Sequence, residues 1–306
     1  MMLLKLCTVK RYKQYKDADL QLGVTDMEQN HFKMNISCKD LEWLYVPDVL
    51  YKEYDTCKRY LQMFVPYRHH WKENEKFPLV VFIPGSAWYR QEMYNSIPSY
   101  SKLAERGIVT AVVQHRESTI APFPAQVHDI NYAIGFLMEK AEELHIDINN
   151  IYIAGNSSGG HLALMTSLMK AHGIINGAYE IKGVIAESAP SDLILCAAEG
   201  IPDWMPEDFR PTRDLLGVKQ IDENLELAKQ ASCEMYITRD VTIPRVLLIH
   251  GTDDCQVNIQ HSRQLFEQLR KVDKDVLFYE LEGSDHGGSE FWSKEVVDII
   301  ESFVQR

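Results

Sequence analysis

The chain holds no Cys-x-x-Cys pair; its six cysteines, at positions 7, 38, 57, 196, 233 and 255, are scattered. That scatter argues against a disulfide framework and for free thiols in a reducing, cytoplasmic compartment. Cys255 follows two aspartates, but nothing marks it as an activated thiol, and a small packed residue is the expected role. None of the eleven histidines is spaced with another as His-Glu-x-x-His, so no metal and no other cofactor is expected. Long apolar runs are missing too, and without eighteen consecutive apolar residues no transmembrane helix is expected. Residues 1–11 are interrupted by charge and too short for a signal-peptide core. Basic charge is scarce, with 32 Lys and Arg against 44 Asp and Glu, a net charge of −12. This balance disfavours nucleic acid and anionic membranes as partners.

What the chain does contain is apolar segments of strand length alternating with helical patterns. Strands are expected at residues 79–83, 108–114, 151–154, 183–188, 246–250 and 276–280, preceded by an alternating strand over residues 54–65. Helices are expected near 95–106, 124–144, 159–171, 259–272 and 289–305. Alternation of this kind predicts βαβ units and a mostly parallel α/β sheet flanked by helices. Strands buried on both faces account for the near-continuous Val, Ile and Leu. Catalytic groups then gather at the strands' C-terminal ends. Residues 1–45 carry no sharp signal and are set apart as an N-terminal extension, leaving residues 46–306 as the α/β body.

One strand, Ile151-Tyr-Ile-Ala, runs into Gly155-Asn156-Ser157-Ser158-Gly159 and then a helical pattern. A Gly-x-Ser-x-Gly corner between strand and helix holds a serine hydroxyl exposed for attack on a carbonyl. With Ser157 as nucleophile, Gly155 and Gly159 occupy the crowded positions; with Ser158, Asn156 would replace the first glycine. Ser157 is therefore preferred. The Ser158 N–H, unpaired at a helix start, can face an oxyanion. A serine needs a histidine to take its proton and a carboxylate to orient that histidine, in the order Ser, Asp/Glu, His on such a sheet. His286 alone among the histidines lies late in the chain on a glycine-flanked loop after a strand. His115, His161 and His250 read as packed or strand-end histidines. Asp253, Asp254 and Asp285 compete for the acid.

Another strand runs into Pro84-Gly85-Ser86-Ala87-Trp88. Here the residues carry a resemblance. The chain resembles the esterase/lipase branch of the α/β-hydrolase superfamily, close to acetylesterase- and feruloyl-esterase-like members. It rests on this loop, on Phe123-Pro-Ala-Gln-Val-His-Asp129, on residues 150–163, on Leu248-Ile-His-Gly-Thr-Asp-Asp254 and on Gly283-Ser-Asp-His286, and covers roughly residues 46–306. By position, the resemblance implies Ser157 as nucleophile, Asp254 as acid and His286 as base. It implies Ser86, Ala87 and Ser158 as oxyanion-hole donors. The family's His-Gly-Gly-Gly-Trp loop falls on Pro84 to Trp88, so a histidine has become proline and two glycines have gained side chains that disfavour positive φ.

More than fifty residues separate the strands ending near 189 and starting near 244. A connection this long usually has a function or elements of its own. It is expected to form a small cap, with Trp204, Met205 and Phe209 as apolar pocket surface; the alternative is a surface excursion whose aromatics pack on the core. Trp88, Trp204 and Met205 are the candidate substrate contacts. The expected activity is hydrolysis of short-chain or sugar-linked (acetyl or feruloyl) carboxylic esters through an acyl-enzyme, the substrate a small-molecule ester or acylated oligosaccharide. A small-amide hydrolase or aminopeptidase of the same fold, and a non-catalytic binding protein, are the alternatives.

Overall fold

The computed structural model describes residue 34 and residues 42–67, 75–200, 204–206 and 208–305. The expected N-terminal extension lies outside them, save residue 34 and residues 42–45, which open the first strand. The strands are β1 (Glu42–Glu53), β2 (Lys58–Tyr67), β3 (Phe77–Ile83), β4 (Val109–Val113), β5 (Ile146–Asn156), β6 (Gly183–Glu187), β7 (Arg245–Gly251) and β8 (Val276–Leu281). The helices are α1 (Ile97–Glu105), α2 (Ala125–Glu139), α3 (Ser158–Ala171), α4 (Leu193–Glu199), α5 (Pro211–Leu216), α6 (Leu225–Gln230), α7 (Gln260–Lys271) and α8 (Lys294–Val304). The strands form one eight-stranded sheet in the order β1-β2-β4-β3-β5-β6-β7-β8. Pairings β1–β2 and β2–β4 are antiparallel, and every pairing from β4–β3 to β7–β8 is parallel.

Strand residues alternate between two cores, as a period of two requires. Leu79, Val81, Ile83, Ile151 and Ile153 join the core built with α2, α3 and α7. Val80, Phe82, Tyr152 and Ala154 join the core built with α1 and α8. Both faces are covered, so the central strands carry runs of apolar residues that supply both cores.

The expected strand at 54–65 is corrected. The chain turns at 54–57, where Tyr54 N–H donates to the Cys57 carbonyl at 2.8 Å, and two strands flank that turn. Tyr54 and Cys57 let an alternating pattern run through the turn. β1 escapes a two-residue period because its pairing shifts register between Val46 and Val49 and again between Leu50 and Lys52. At the other end of the chain, the expected helix at 289–305 is a 3₁₀ turn, Ser289–Trp292, followed by α8. Ser293 separates the two, its hydroxyl accepting from Val296 N–H at 3.3 Å.

Buried Asp129 on α2 anchors the loop after β4. Its carboxylate accepts from Arg116 N at 2.7 Å, from Arg116 Nε at 3.0 Å and from the Tyr54 hydroxyl. The Asp129 side chain is wholly enclosed, while that of Arg116 is 19 % exposed. Removing one member of an enclosed pair leaves its partner uncompensated. Asp129→Ala is therefore expected to cost about 3–5 kcal/mol in urea denaturation, whereas a loss within about 0.5 kcal/mol would mark the pair as a surface contact.

Candidate active site

A tight corner joins β5 to α3. Ser157 sits there at φ 54° and ψ −129°, outside the regions that side-chain-bearing residues normally occupy. The corner closes because its flanking residues lack side chains. A Cβ on Gly155 would come within 2.4 Å of Gly159 backbone, and one on Gly159 within 2.0 Å of the Ile83 carbonyl oxygen. Ser157 N–H donates to the Glu187 carbonyl at 2.7 Å, fixing the corner to the end of β6.

The loop after β3 is tied to this corner by three hydrogen bonds. Gly85 N–H donates to Asn156 Oδ1 at 2.9 Å, Ser86 N–H to Ser158 Oγ at 2.9 Å, and Trp88 Nε1–H to His161 Nδ1 at 3.1 Å. His161 is fully buried, and its Nε2–H donates to the Ala231 carbonyl at 2.8 Å. Burial pulls its pKa down to about 4, so the ring is the neutral tautomer these two bonds require. The expectation that side chains here would disfavour positive φ is overridden, because Ala87 and Trp88 adopt φ values of 50° and 61°.

Ser86 is corrected as an oxyanion donor. Its N–H goes to Ser158 Oγ, and its hydroxyl donates to the Tyr89 carbonyl at 2.8 Å. Both of its donors are committed to building the loop. The N–H groups of Ala87 and Ser158 have no partner among the described residues.

Ser157, Asp254 and His286 come together from three separate loops. His286 Nε2 lies 2.9 Å from Ser157 Oγ, and His286 Nδ1 lies 2.8 Å from Asp254 Oδ2. The Asp254 side chain is enclosed, and its Oδ1 accepts from the N–H groups of Gln256 and Val257, each at 2.9 Å. Burial opposes its ionisation, but hydrogen bonds from His250, His286 and the Val257 amide outweigh that cost. They hold the carboxyl well below the usual range, so Asp254 is a fixed anion. The other two aspartates have structural partners. Exposed Asp253 accepts from Thr252 Oγ1 at 3.1 Å, and Asp285 accepts from Cys255 N–H at 2.9 Å and from its own neighbour His286 N–H at 2.7 Å. Asp285 also raises the Cys255 thiol pKa, which leaves that cysteine unactivated.

Two cavities meet at Ser157 and His286. The larger, about 1030 Å³, includes Ala87 and Ser158 on the sheet side and Ile194, Met205, Phe209 and Ile221 on the other. The long connection thus supplies a wall of this cavity. It is held there by Tyr89, whose hydroxyl donates to Asp214 and whose ring lies 5.7 Å from that of Phe209. Trp204 is corrected as a substrate contact, being 60 % exposed and absent from the cavity wall, whereas Met205 belongs to it. Trp88 borders the cavity but is 2 % exposed, its indole spent on His161. The smaller cavity, about 210 Å³, lies on the Glu187 side. Among the described residues, no three His, Cys, Asp or Glu side chains group to hold a metal ion, and no helix is long and apolar enough to cross a membrane.

The BD-FAE family model matches residues 66–269, two thirds of the chain and a span that includes Ser157 and Asp254. The chain belongs to the BD-FAE family. Esterase LipC of Mycobacterium tuberculosis is 30 % identical to this BD-FAE chain over 224 residues, covering 69 % of the chain and 53 % of LipC. The probable isoprenylcysteine alpha-carbonyl methylesterase ICME of Oryza sativa is 23 % identical over 258 residues, covering 73 % of the chain and 57 % of the rice protein. The chain spans about half the length of the curated relatives it matches. Among solved structures, a truncated carbohydrate esterase from gut microbiota superposes with a TM-score of 0.71 at 21 % identity, covering 86 % of this chain and 95 % of that one. The sheet is thus that of the α/β-hydrolase esterases.

Two buried residues beside these groups were not marked by sequence. His250, at the end of β7, is fully buried, with Nε2 2.9 Å from the Val257 carbonyl and 3.2 Å from Asp254 Oδ2. Both neighbours are acceptors, so Nε2 carries the proton, and Nδ1 accepts from Ser262 on α7 at 2.7 Å. Its position four residues before Asp254 was the available signal. Glu187 ends β6 as a 2 % exposed carboxyl whose Oε1 lacks a partner among the described residues. A glutamate closing an otherwise apolar parallel strand was the signal there.

Burial raises the Glu187 pKa to about 8 from its ordinary 4.5. The folded chain keeps this proton up to about pH 8 and the unfolded chain releases it near pH 4.5, so stability falls as pH rises between them, by about 1.4 kcal/mol per unit. Glu187→Gln removes that slope. Its stability relative to wild type is expected to rise by about 3 kcal/mol between pH 5 and pH 7 in urea denaturation. A difference that does not change with pH would mean that Glu187 is ionised in the folded chain.

Proposed function

We propose that this chain is a serine carboxylic-ester hydrolase acting on short-chain or sugar-linked esters. The observation that carries the reading is the continuous relay from Asp254 Oδ2 through His286 to Ser157 Oγ, with contacts of 2.8 Å and 2.9 Å. In this reading His286 Nε2 takes the Ser157 proton as Oγ attacks the ester carbonyl carbon. Asp254, anionic throughout, holds Nδ1–H and stabilises the imidazolium. The carbonyl oxygen becomes an oxyanion facing the free N–H groups of Ala87 and Ser158, which stand ready without reorganisation. The tetrahedral intermediate collapses, the C–O bond to the alcohol breaks, and the alcohol departs with the proton from His286. Water, deprotonated by the same nitrogen, then attacks the acyl-serine and releases acid and free Ser157.

Support for the substrate class comes from the relatives. LipC is an esterase, one neighbour in fold is a carbohydrate esterase, and another is an acetyl ester-xyloside bifunctional hydrolase from Caldicellulosiruptor lactoaceticus. The apolar surface of Ile194, Met205 and Phe209 in the larger cavity suits one half of an ester.

The test is hydrolysis of p-nitrophenyl esters from acetate to octanoate. Wild type is expected to turn over the short esters, and Ser157→Ala to lose about 10⁶ in kcat with its thermal midpoint retained. Asp254→Asn is expected to lose about 10⁴, because the amide no longer fixes the reactive tautomer of His286. Ester hydrolysis that survives in Ser157→Ala would refute the assignment. Within the same series, Met205→Ala is expected to shift the preferred chain length and Trp204→Ala to leave it in place; the reverse would mean that the wall is drawn wrongly.

A further inference from the structure

The smaller cavity differs from the larger one in chemistry. Its volume is about 210 Å³, and it reaches both Ser157 and His286 from the side of β6 and α1, away from Ala87. Its walls are polar, with Ser96 and Ser99 from the start of α1, Glu187 and Ser188 from the end of β6, and Ser289 from the loop after His286. Two aromatics, Phe291 and Trp292, join them, the Trp292 ring braced edge-on against Tyr100 at 5.5 Å and tilted against Phe82 at 5.7 Å.

Two of these polar groups are buried and unpaired. Glu187 and Ser188 are each 2 % exposed, and among the described residues Glu187 Oε1 and Ser188 Oγ have no hydrogen-bond partner. Buried polar atoms in folded proteins are almost always satisfied, so a pair left open beside the reacting serine calls for an occupant. A neutral carboxylic acid offers one donor and spare acceptor sites, and a serine hydroxyl offers one donor and two acceptor sites. Groups that both give and accept are matched by hydroxyls. A carboxylate could only accept from them and an ammonium ion could only donate, whereas a hydroxyl does both. The Trp292 ring adds an apolar face of the kind that covers the C–H side of a sugar ring.

We infer that this cavity is the alcohol subsite of the proposed esterase and takes a compact polyhydroxylated leaving group, with Glu187 and Ser188 bonding its hydroxyls. The inference rests on the ester-hydrolase reading and specifies which half of the substrate carries recognition. The leaving oxygen must reach His286 Nε2 to collect its proton, and His286 is part of this wall as well as of the larger cavity's, while Ala87 and Ser158 line only the larger. The acyl half then extends into the larger, partly apolar cavity.

The experiment compares kcat/KM for a monoacetylated methyl xyloside with that for p-nitrophenyl acetate. Glu187→Leu removes the hydrogen-bonding carboxyl at similar size, and Ser99→Leu narrows the mouth from the partly exposed face of α1 without touching the core. Each is expected to lower the sugar-to-nitrophenyl ratio about tenfold, while Glu187→Gln, still a donor and acceptor, keeps it within about threefold. An unchanged ratio in both leucine variants overturns the subsite. Should Glu187→Leu fail to fold, Ser99→Leu decides alone. Calorimetric titration of free methyl xyloside into Ser157→Ala gives an independent reading. Binding that Ser99→Leu weakens supports the subsite even if wild type hydrolyses neither ester, a result that would refute the esterase reading instead. Absence of binding together with an unchanged ratio refutes the subsite and leaves the esterase standing.

Discussion

The site depends on one close approach, that of the first turn of α3 to the backbone at the end of β3. Gly159 and the Ile83 carbonyl lie so near that no side chain fits between them. This contact bends the chain hard enough to hold Ser157 at positive φ and to bring Asn156, Ser158 and His161 against the loop after β3. Three hydrogen bonds from one corner then set the path of Gly85 through Trp88. The strain at Ser157 is offset by those bonds and by the one from its own amide to β6.

This arrangement explains how Pro84-Gly85-Ser86-Ala87 tolerates side chains at positions where the resemblance implied glycines. Ser86 is a fastener, both of its donors used within the protein. Ala87 and Trp88 accept a left-handed backbone because the bonds on either side of them over-determine it. Among the described residues the amides of Ala87 and Ser158 have no partner, and they belong to the two segments that the corner joins.

Much of this was legible in the sequence. The parallel strands from β3 onward were readable because burial on both faces leaves unbroken apolar runs, and the glycine frame singled out Ser157 over Ser158. Asp254 was less legible from residues alone, since Asp253, Asp254 and Asp285 all sit on loops at strand ends. What separates them is burial, and burial depends on how β7 and β8 lie in register, which no local pattern encodes. β1 was obscured by its register shifts, and the turn at 54–57 was read through because apolar residues bracket it. The long connection was unreadable in detail because α4, α5 and α6 have only six or seven residues each, too few for a helical period to stand out. Trp204 shows the limit of composition, as a large aromatic in a cap-like segment that faces solvent.

The bond from the Ser262 hydroxyl to His250 extends the support of Asp254 onto α7. Asp254 is held by His250, and His250 by a hydroxyl on a helix whose outward face is ordinary charged surface. The geometry of Asp254 is therefore inherited partly from a helix that lines neither of the two cavities. Drift in α7 sequence is constrained unevenly: its solvent face is free to diverge, while the Ser262 position is tied to the histidine that contacts Asp254. In lineages of this chain, changes at 250 and 262 should occur as a pair, a molecular coupling that a catalogue of cavity residues would overlook.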